Sequence, residues 1–382
     1  MKRRSFLEAV GTAGLAVGVK PALGVSHLAS PGTKKAPGQA SPETILLKDY
    51  KPKSLHKVPI TEVAKAKFPI IDMHSHAYAK TPAEISEWVS NMDEVGVAKT
   101  IILTGATGQQ FDEISKKYAI HRDRFELWCG FDYTGYTEPD FGKRAIAALE
   151  RCHRAGAQGV GELHDKGKGL SSETMTASGM HPDDPRMDSV FDRCGQLGMP
   201  VNLHVADPIW MYEPMDNKND GLMNAFHWRL DNQPGIVGHS GMIDILERTL
   251  KKHSNTTFIA CHFANLDYDL GRLGEIFGRH SNLYADISAR YAETAPIPRF
   301  TSQFYAKYAD RLLYGTDMGF DKPMYQVTFR ILETLDEHFY ETDMFGYHWS
   351  LNGFGLSEEI LQKLYRANAE KLLTARHEVA QK

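Results

Sequence analysis

Eight short, β-rich apolar runs alternate with longer amphipathic segments, and no other feature constrains the fold of this chain as strongly. The runs cover residues 70–77, 99–104, 125–132, 157–163, 200–207, 257–263, 283–289 and 312–318. Helical periodicity fills residues 82–95, 140–155, 184–197, 241–253 and 268–280 between them. A strand run followed by an amphipathic helix is the repeating unit of a parallel sheet. Eight such alternations predict an α/β protein of the (β/α)8 TIM-barrel class, folded as a single domain over residues 69–375. A doubly wound open sheet is the competing architecture, but it gives no reason for ligand-type side chains at so many strand ends.

Barrels of this kind build their active sites at the C-terminal ends of the strands. The first run ends in His74 and His76, the fourth in Glu162 and His164, the fifth in His204, the sixth in His262 and the eighth in Asp317. Side chains two apart on a strand share a face, so His74 and His76 point the same way. With 17 histidines in the chain the pair alone carries little weight, but its place among five such strand ends makes a metal centre. Imidazoles and carboxylates together suit a divalent ion, zinc first, with manganese, iron or cobalt as alternatives. Water on such an ion ionises near neutral pH. Asp317 could touch the ion and accept the water's proton, and His262 could polarise a carbonyl.

The motifs that carry these residues are Ile-Asp-Met-His74-Ser-His76, the strand-five His204, Ala-Cys-His262-Phe-Ala-Asn, Leu-Tyr-Gly-Thr-Asp317 and the closing Leu-Tyr-Arg-Ala-Asn-Ala-Glu-Lys-Leu-Leu373. Together they resemble the amidohydrolase superfamily, in particular its amidohydrolase-related metal-dependent hydrolases and decarboxylases. That resemblance implies that His74, His76, His204 and Asp317 ligate a divalent metal and that His262 is catalytic. Glu162 resembles the bridging ligand of two-metal members, in which a sixth-strand histidine also binds metal, so one ion or two remain open. The implied activity is attack of metal-activated water on an amide, ester or lactone carbonyl of a small organic substrate. Nonoxidative decarboxylation of a small aromatic or unsaturated acid is the alternative, and a non-catalytic exported binding protein is the alternative of another class.

Substrate contacts are expected from the loops. Residues 208–238 form a long connection carrying Trp210, and connections of that length in compact domains are commonly functional. Arg290, just after the seventh run, is expected to clamp a substrate carboxylate, and His164 to face the same mouth.

The chain begins Met1-Lys-Arg-Arg-Ser-Phe-Leu, followed by a small-residue apolar stretch. That is the layout of a twin-arginine export signal over residues 1–29, too short and too rich in Gly and Ala for a stable membrane anchor. It implies the twin-arginine export machinery as a partner and a periplasmic or otherwise exported location. Residues 30–68 read as a spacer and N-terminal extension. Removing residues 1–29 takes away a net charge of +3 and lowers the chain from −4 to −7. An acidic body argues against nucleic acid as a partner. The four cysteines lack a Cys-x-x-Cys spacing and are expected to be buried free thiols. Homo-oligomer formation is left open by the sequence.

Overall fold

The structure, a computed structural model, describes residues 41–172 and 174–380. The predicted export signal and most of the spacer therefore lie outside the described residues. Residues 41–46 make a turn of their own, in which Thr44 N donates to Ser41 O at 2.9 Å. The chain from Leu47 onward forms one compact unit.

Eight parallel strands appear in the expected order: β1 (Ile70–Ser75), β2 (Val97–Leu103), β3 (Phe125–Trp128), β4 (Val160–Asp165), β5 (Val201–Val205), β6 (Phe258–Ala260), β7 (Leu283–Asp286) and β8 (Leu312–Leu313). Their ladders form a three-stranded sheet, β1-β2-β3, and a five-stranded one, β4 to β8. Isolated hydrogen bonds cross both gaps. Cys129, just after β3, bridges to Val160 at the start of β4, while Met73 N donates to Tyr314 O (2.9 Å) and Thr316 N to His74 O (3.1 Å) at the other seam. The sequence of strands is thus that of a (β/α)8 barrel, with ladders that do not run unbroken around it.

Each strand buries two faces, which is why the runs read as nearly continuous apolar stretches. Ile71, Met73, Ile101, Leu103, Ile259 and Leu313 form an inner cluster. The final helix, Asn368–Ala380, adds Ala369, Leu372 and Leu373 to it and closes the end opposite the strand termini. A larger cluster lies between sheet and helices, as in the helix Pro82–Val95, which buries Ile85, Trp88, Met92 and Val95. Thr81 caps that helix with a reciprocal Thr81–Glu84 pair, and Gly96 ends it at φ +89°. All four cysteines are buried and free.

Several elements differ from the sequence expectation. β8 has two residues rather than seven, because the backbone leaves the ladder at Tyr314 and turns through Asp317 at φ +56°. The helices Gly108–Tyr118, Pro298–Tyr308 and Lys322–Glu333 were not marked by the periodicity. Part of the N-terminal extension is pinned to the body: Thr61 N and Oγ1 donate to Asp336 at 2.8 and 2.7 Å.

Candidate metal centre

Left-handed backbone collects at one end of the barrel. Ala206, His262, Phe263, Ala264, Asn265, Ala289 and Asp317 all have φ between +51° and +67°, and all follow β5, β6, β7 or β8. Among non-glycine residues such conformations cost energy and persist where the surroundings hold them. Here they turn His262 and Asp317 into the mouth. Gly315 is required beside them, since a Cβ there would lie 2.7 Å from that of His74.

Glu162 and Asp317 occupy the middle of this end, with four imidazoles converging on them. His76 Nε2 lies 3.0 Å from Asp317 Oδ1 and 3.3 Å from Glu162 Oε2. His74 Nε2 lies 3.6 and 3.7 Å from the same two oxygens. On the other side, His204 Nδ1 is 2.7 Å and His262 Nε2 3.4 Å from Glu162 Oε1, and His262 Nε2 is 3.6 Å from Asp317 Oδ2. Each carboxylate therefore turns one oxygen to the His74–His76 pair and the other to His262, which Glu162 shares with His204.

The outward nitrogens decide what the inward ones can do. His74 Nδ1 donates to Asp286 Oδ2 (3.0 Å), His76 Nδ1 to Leu103 O (2.9 Å) and His204 Nε2 to Asp207 Oδ1 (2.9 Å). His262 Nδ1 donates to Ser288 O (3.0 Å) and Ser288 Oγ (2.8 Å), whose own proton goes to Asp286 Oδ1. Carbonyl and carboxylate partners only accept, so each outward nitrogen carries the ring proton. In the neutral rings every inward nitrogen then presents a lone pair to a carboxylate oxygen. Such an arrangement needs positive charge at its centre, either extra protons or a cation. His74 Nε2 is buried with no hydrogen-bond partner among the described residues, as a metal-directed nitrogen would be. The nitrogen and oxygen donors fit zinc, manganese, iron or cobalt.

The electrostatics agree. Burial opposes charge on His74, but the carboxylates of Asp286, Asp317 and Glu162 outweigh it and raise its pKa well above the ordinary value. His76 is likewise lifted against burial, to about 10, by Asp317 and Glu162. Burial would raise Glu162, yet His164, His204 and His74 hold it well below the usual carboxylate range. His262 is pushed down to about 4, first by burial and then by Arg290, so its neutral form dominates.

Two expected results follow. A histidine raised on folding, as His76 is from 6.5 to about 10, contributes stability that is complete below 6.5 and is lost as pH rises through 10. Thermal unfolding of chelator-treated protein should therefore show Tm falling between pH 7 and 10; a flat profile contradicts the cluster's charge balance. Asp286, which fixes His74 directly and His262 through Ser288, is a positioning residue. Its replacement, Asp286→Ala, should weaken metal affinity by about 10–100-fold with unchanged circular dichroism.

The other expected residues are dispersed around this centre. His164, half-exposed, lies 2.8 Å from Glu162 Oε2. Arg290 lines a cavity of about 300 Å³ shared with His204, His262 and Asp317. Its guanidinium is bonded to Asn265 Oδ1 twice (3.1 and 2.7 Å) and to Ala289 O (3.0 Å), rather than standing free for a carboxylate. Trp210 packs in the small core of loop 208–238 with Met211, Ala225 and Leu230, and Trp228 of that loop lines the cavity instead. Asp286, Asp207, Ser288 and Tyr78, whose hydroxyl donates to Asp317 Oδ1 at 3.1 Å, are functional neighbours that sequence reasoning missed. Position at a strand end was the available signal for Asp286 and Asp207.

Fold and site together define a (β/α)8 barrel with a candidate metal centre at the C-terminal ends of its strands. The chain matches the amidohydrolase family model over residues 63–374 and belongs to that family. No curated protein matches it. A Staphylococcus aureus protein assigned to the amidohydrolases is 16% identical, with 80% of this chain and 100% of that one covered and a TM-score of 0.53. A dihydroxybenzoic acid decarboxylase from Polaromonas, solved with manganese and the inhibitor 2-nitroresorcinol, is 15% identical over 80% and 97% of the chains, with a TM-score of 0.51. A 2,6-dihydroxybenzoate decarboxylase from Rhizobium is 15% identical over 81% and 99%, at 0.50. Likeness at this identity shows the shared barrel fold.

Proposed function

We propose that this chain is a metal-dependent hydrolase acting on an amide, ester or lactone carbonyl of a small organic molecule. The observation that carries the reading is the convergence of four inward imidazole nitrogens on Glu162 and Asp317, each ring fixed from behind by an acceptor. His74 and His76 with Glu162 Oε2 and Asp317 Oδ1 would hold one divalent ion, and His204 and His262 with Glu162 Oε1 a second. The ions supply Lewis acidity, polarising the carbonyl and lowering the pKa of water. His262, neutral with its proton on Nδ1, is thereby assigned to ligation rather than to carbonyl polarisation.

The protein's own groups handle protons and orientation. Tyr78 donates to Asp317 Oδ1, which leaves Oδ2 to accept a proton from the attacking water. His164 joins Glu162 to a small solvent-facing cleft that it lines with His76 and Ser172, and offers a path for that proton to leave. Lys166, 2.9 Å from Asp207, and Trp228 line the cavity in which the substrate is held. Decarboxylation is the second reading, supported by the Lys166 ammonium in that cavity, which can pair with a substrate carboxylate. The barrel shared with dihydroxybenzoate decarboxylases is consistent with it. Export is proposed from Arg3 and Arg4, and a change of both to lysine should leave the protein in the cytoplasmic fraction.

Incubating metal-loaded protein with amide, ester, lactone and hydroxybenzoate panels separates the two chemistries. Hydrolysis without CO2 supports the first reading; CO2 release without hydrolysis overturns it in favour of the second.

A further inference from the structure

The cavity that contains Asp317, His204 and His262 has a second polar wall, built by Asn224, Arg290, Glu293 and Tyr347. Its hydrogen bonds run in one direction. Asn224 Nδ2 donates to the Tyr347 hydroxyl (3.0 Å), and that hydroxyl donates to Glu293 Oε1 (2.8 Å). Tyr347 is held by stacking on Trp349, with centroids 4.1 Å and planes 11° apart, and Trp349 Nε1 donates to Ala292 O at 2.9 Å. Glu293 is 6% exposed, and its Oε2 has no hydrogen-bond partner among the described residues.

The wall has acceptors to spare and few donors. Three N–H groups of Arg290 are spent on Asn265 and Ala289, and its guanidinium stands 3.8 Å from both Asp267 and Glu293. Asp267 is fully buried, and neither of its oxygens is hydrogen-bonded among the described residues. A second substrate carboxylate would meet the buried Glu293 carboxyl and a guanidinium already engaged, with Asp267 buried behind it. A hydroxyl or amino group would meet Glu293, which lines the cavity and whose Oε2 accepts no hydrogen bond among the described residues. Trp228, Met318, Met344 and Phe345 surround this wall with apolar surface suited to a ring or hydrocarbon body.

We propose that Glu293 reads a hydrogen-bond donor on the substrate, so that the molecules this site takes are small apolar-bodied compounds bearing a hydroxyl or amino group away from the reacting carbonyl. The proposal rests on the metal-centre reading only for which end of the substrate reacts. It takes the place of the expectation that Arg290 clamps a substrate carboxylate.

Calorimetric titration of the zinc-loaded full chain with 3- and 4-hydroxybenzoate, their methoxy counterparts, isophthalate and terephthalate tests it. A hydroxybenzoate should bind at least about tenfold more tightly than its methoxy counterpart and than the dicarboxylates, the value of one hydrogen bond to a charged acceptor. Glu293→Gln puts an amide NH2 in place of Oε2 and should bring the hydroxyl and methoxy compounds within about twofold, with metal content unchanged. Should that variant fold poorly by circular dichroism, Glu293→Asp, which withdraws the oxygen by one methylene, should lose the preference in the same way. Tightest binding by a dicarboxylate, a hydroxyl preference that survives both substitutions, or no binding of any hydroxybenzoate overturns the proposal. A chain that takes up no metal yet keeps the hydroxyl preference sinks the metal-centre reading and supports this one.

Discussion

Asp317→Asn should lower kcat by about 10²–10⁴-fold, the usual contribution of a positioned proton acceptor, while leaving the fold intact. Asparagine fills the same volume, and its side-chain oxygen can still accept from Tyr78, which donates to Oδ1 at 3.1 Å. What disappears is the negative charge that His74 and His76 hold ionised against the effect of burial. KM should change less than kcat, because the group acts on the reacting atoms rather than on the whole substrate. Single-turnover rates on the substrate found in the panel assay check this. Turnover within twofold of the parent would remove Asp317 from proton transfer, and absence of turnover in the parent on every substrate would favour a binding protein.

The second large effect is expected at Glu162. Its two oxygens serve different histidines, Oε1 facing His204 at 2.7 Å and Oε2 facing His76 at 3.3 Å. Glu162→Ala should therefore reduce bound metal from two ions per chain to one or none and abolish hydrolysis. The loss should exceed that of a surface carboxylate, because the side chain is 4% exposed and its removal leaves buried imidazoles without their counter-charge. Elemental analysis of the purified variant beside the parent reads the result directly. Two ions retained in the variant would exclude a bridging role.

Much of the barrel was legible because strands buried on both faces keep their apolar run, and the helices that pack on them keep a 3.6-residue stripe. The helix Gly108–Tyr118 escaped because only Phe111 and Tyr118 of it are buried, too few to mark a period. β8 was overextended because the apolar Leu-Leu-Tyr run continues past the point where the backbone turns toward Asp317. In the site, His74, His76, Glu162, His204, His262 and Asp317 could be read from their places at strand ends, and the structure brings all six together. Asp286 was missed: its partner His74 lies 212 residues away, and its place at a strand end was the one local mark that set it apart among 48 acidic residues. Trp210 and Trp228 share one loop and one chemistry, and the path of that loop, invisible in the sequence, decides which of them lines the cavity.

The convergence of imidazoles is most directly tested by the stoichiometry of the parent protein. The full chain, stripped with chelator, reloaded with zinc and dialysed, should retain two ions per chain, with uptake weakening as pH falls because protons compete for the inward nitrogens. A chain that retains no zinc after this treatment at pH 7.5 would contradict the metal centre.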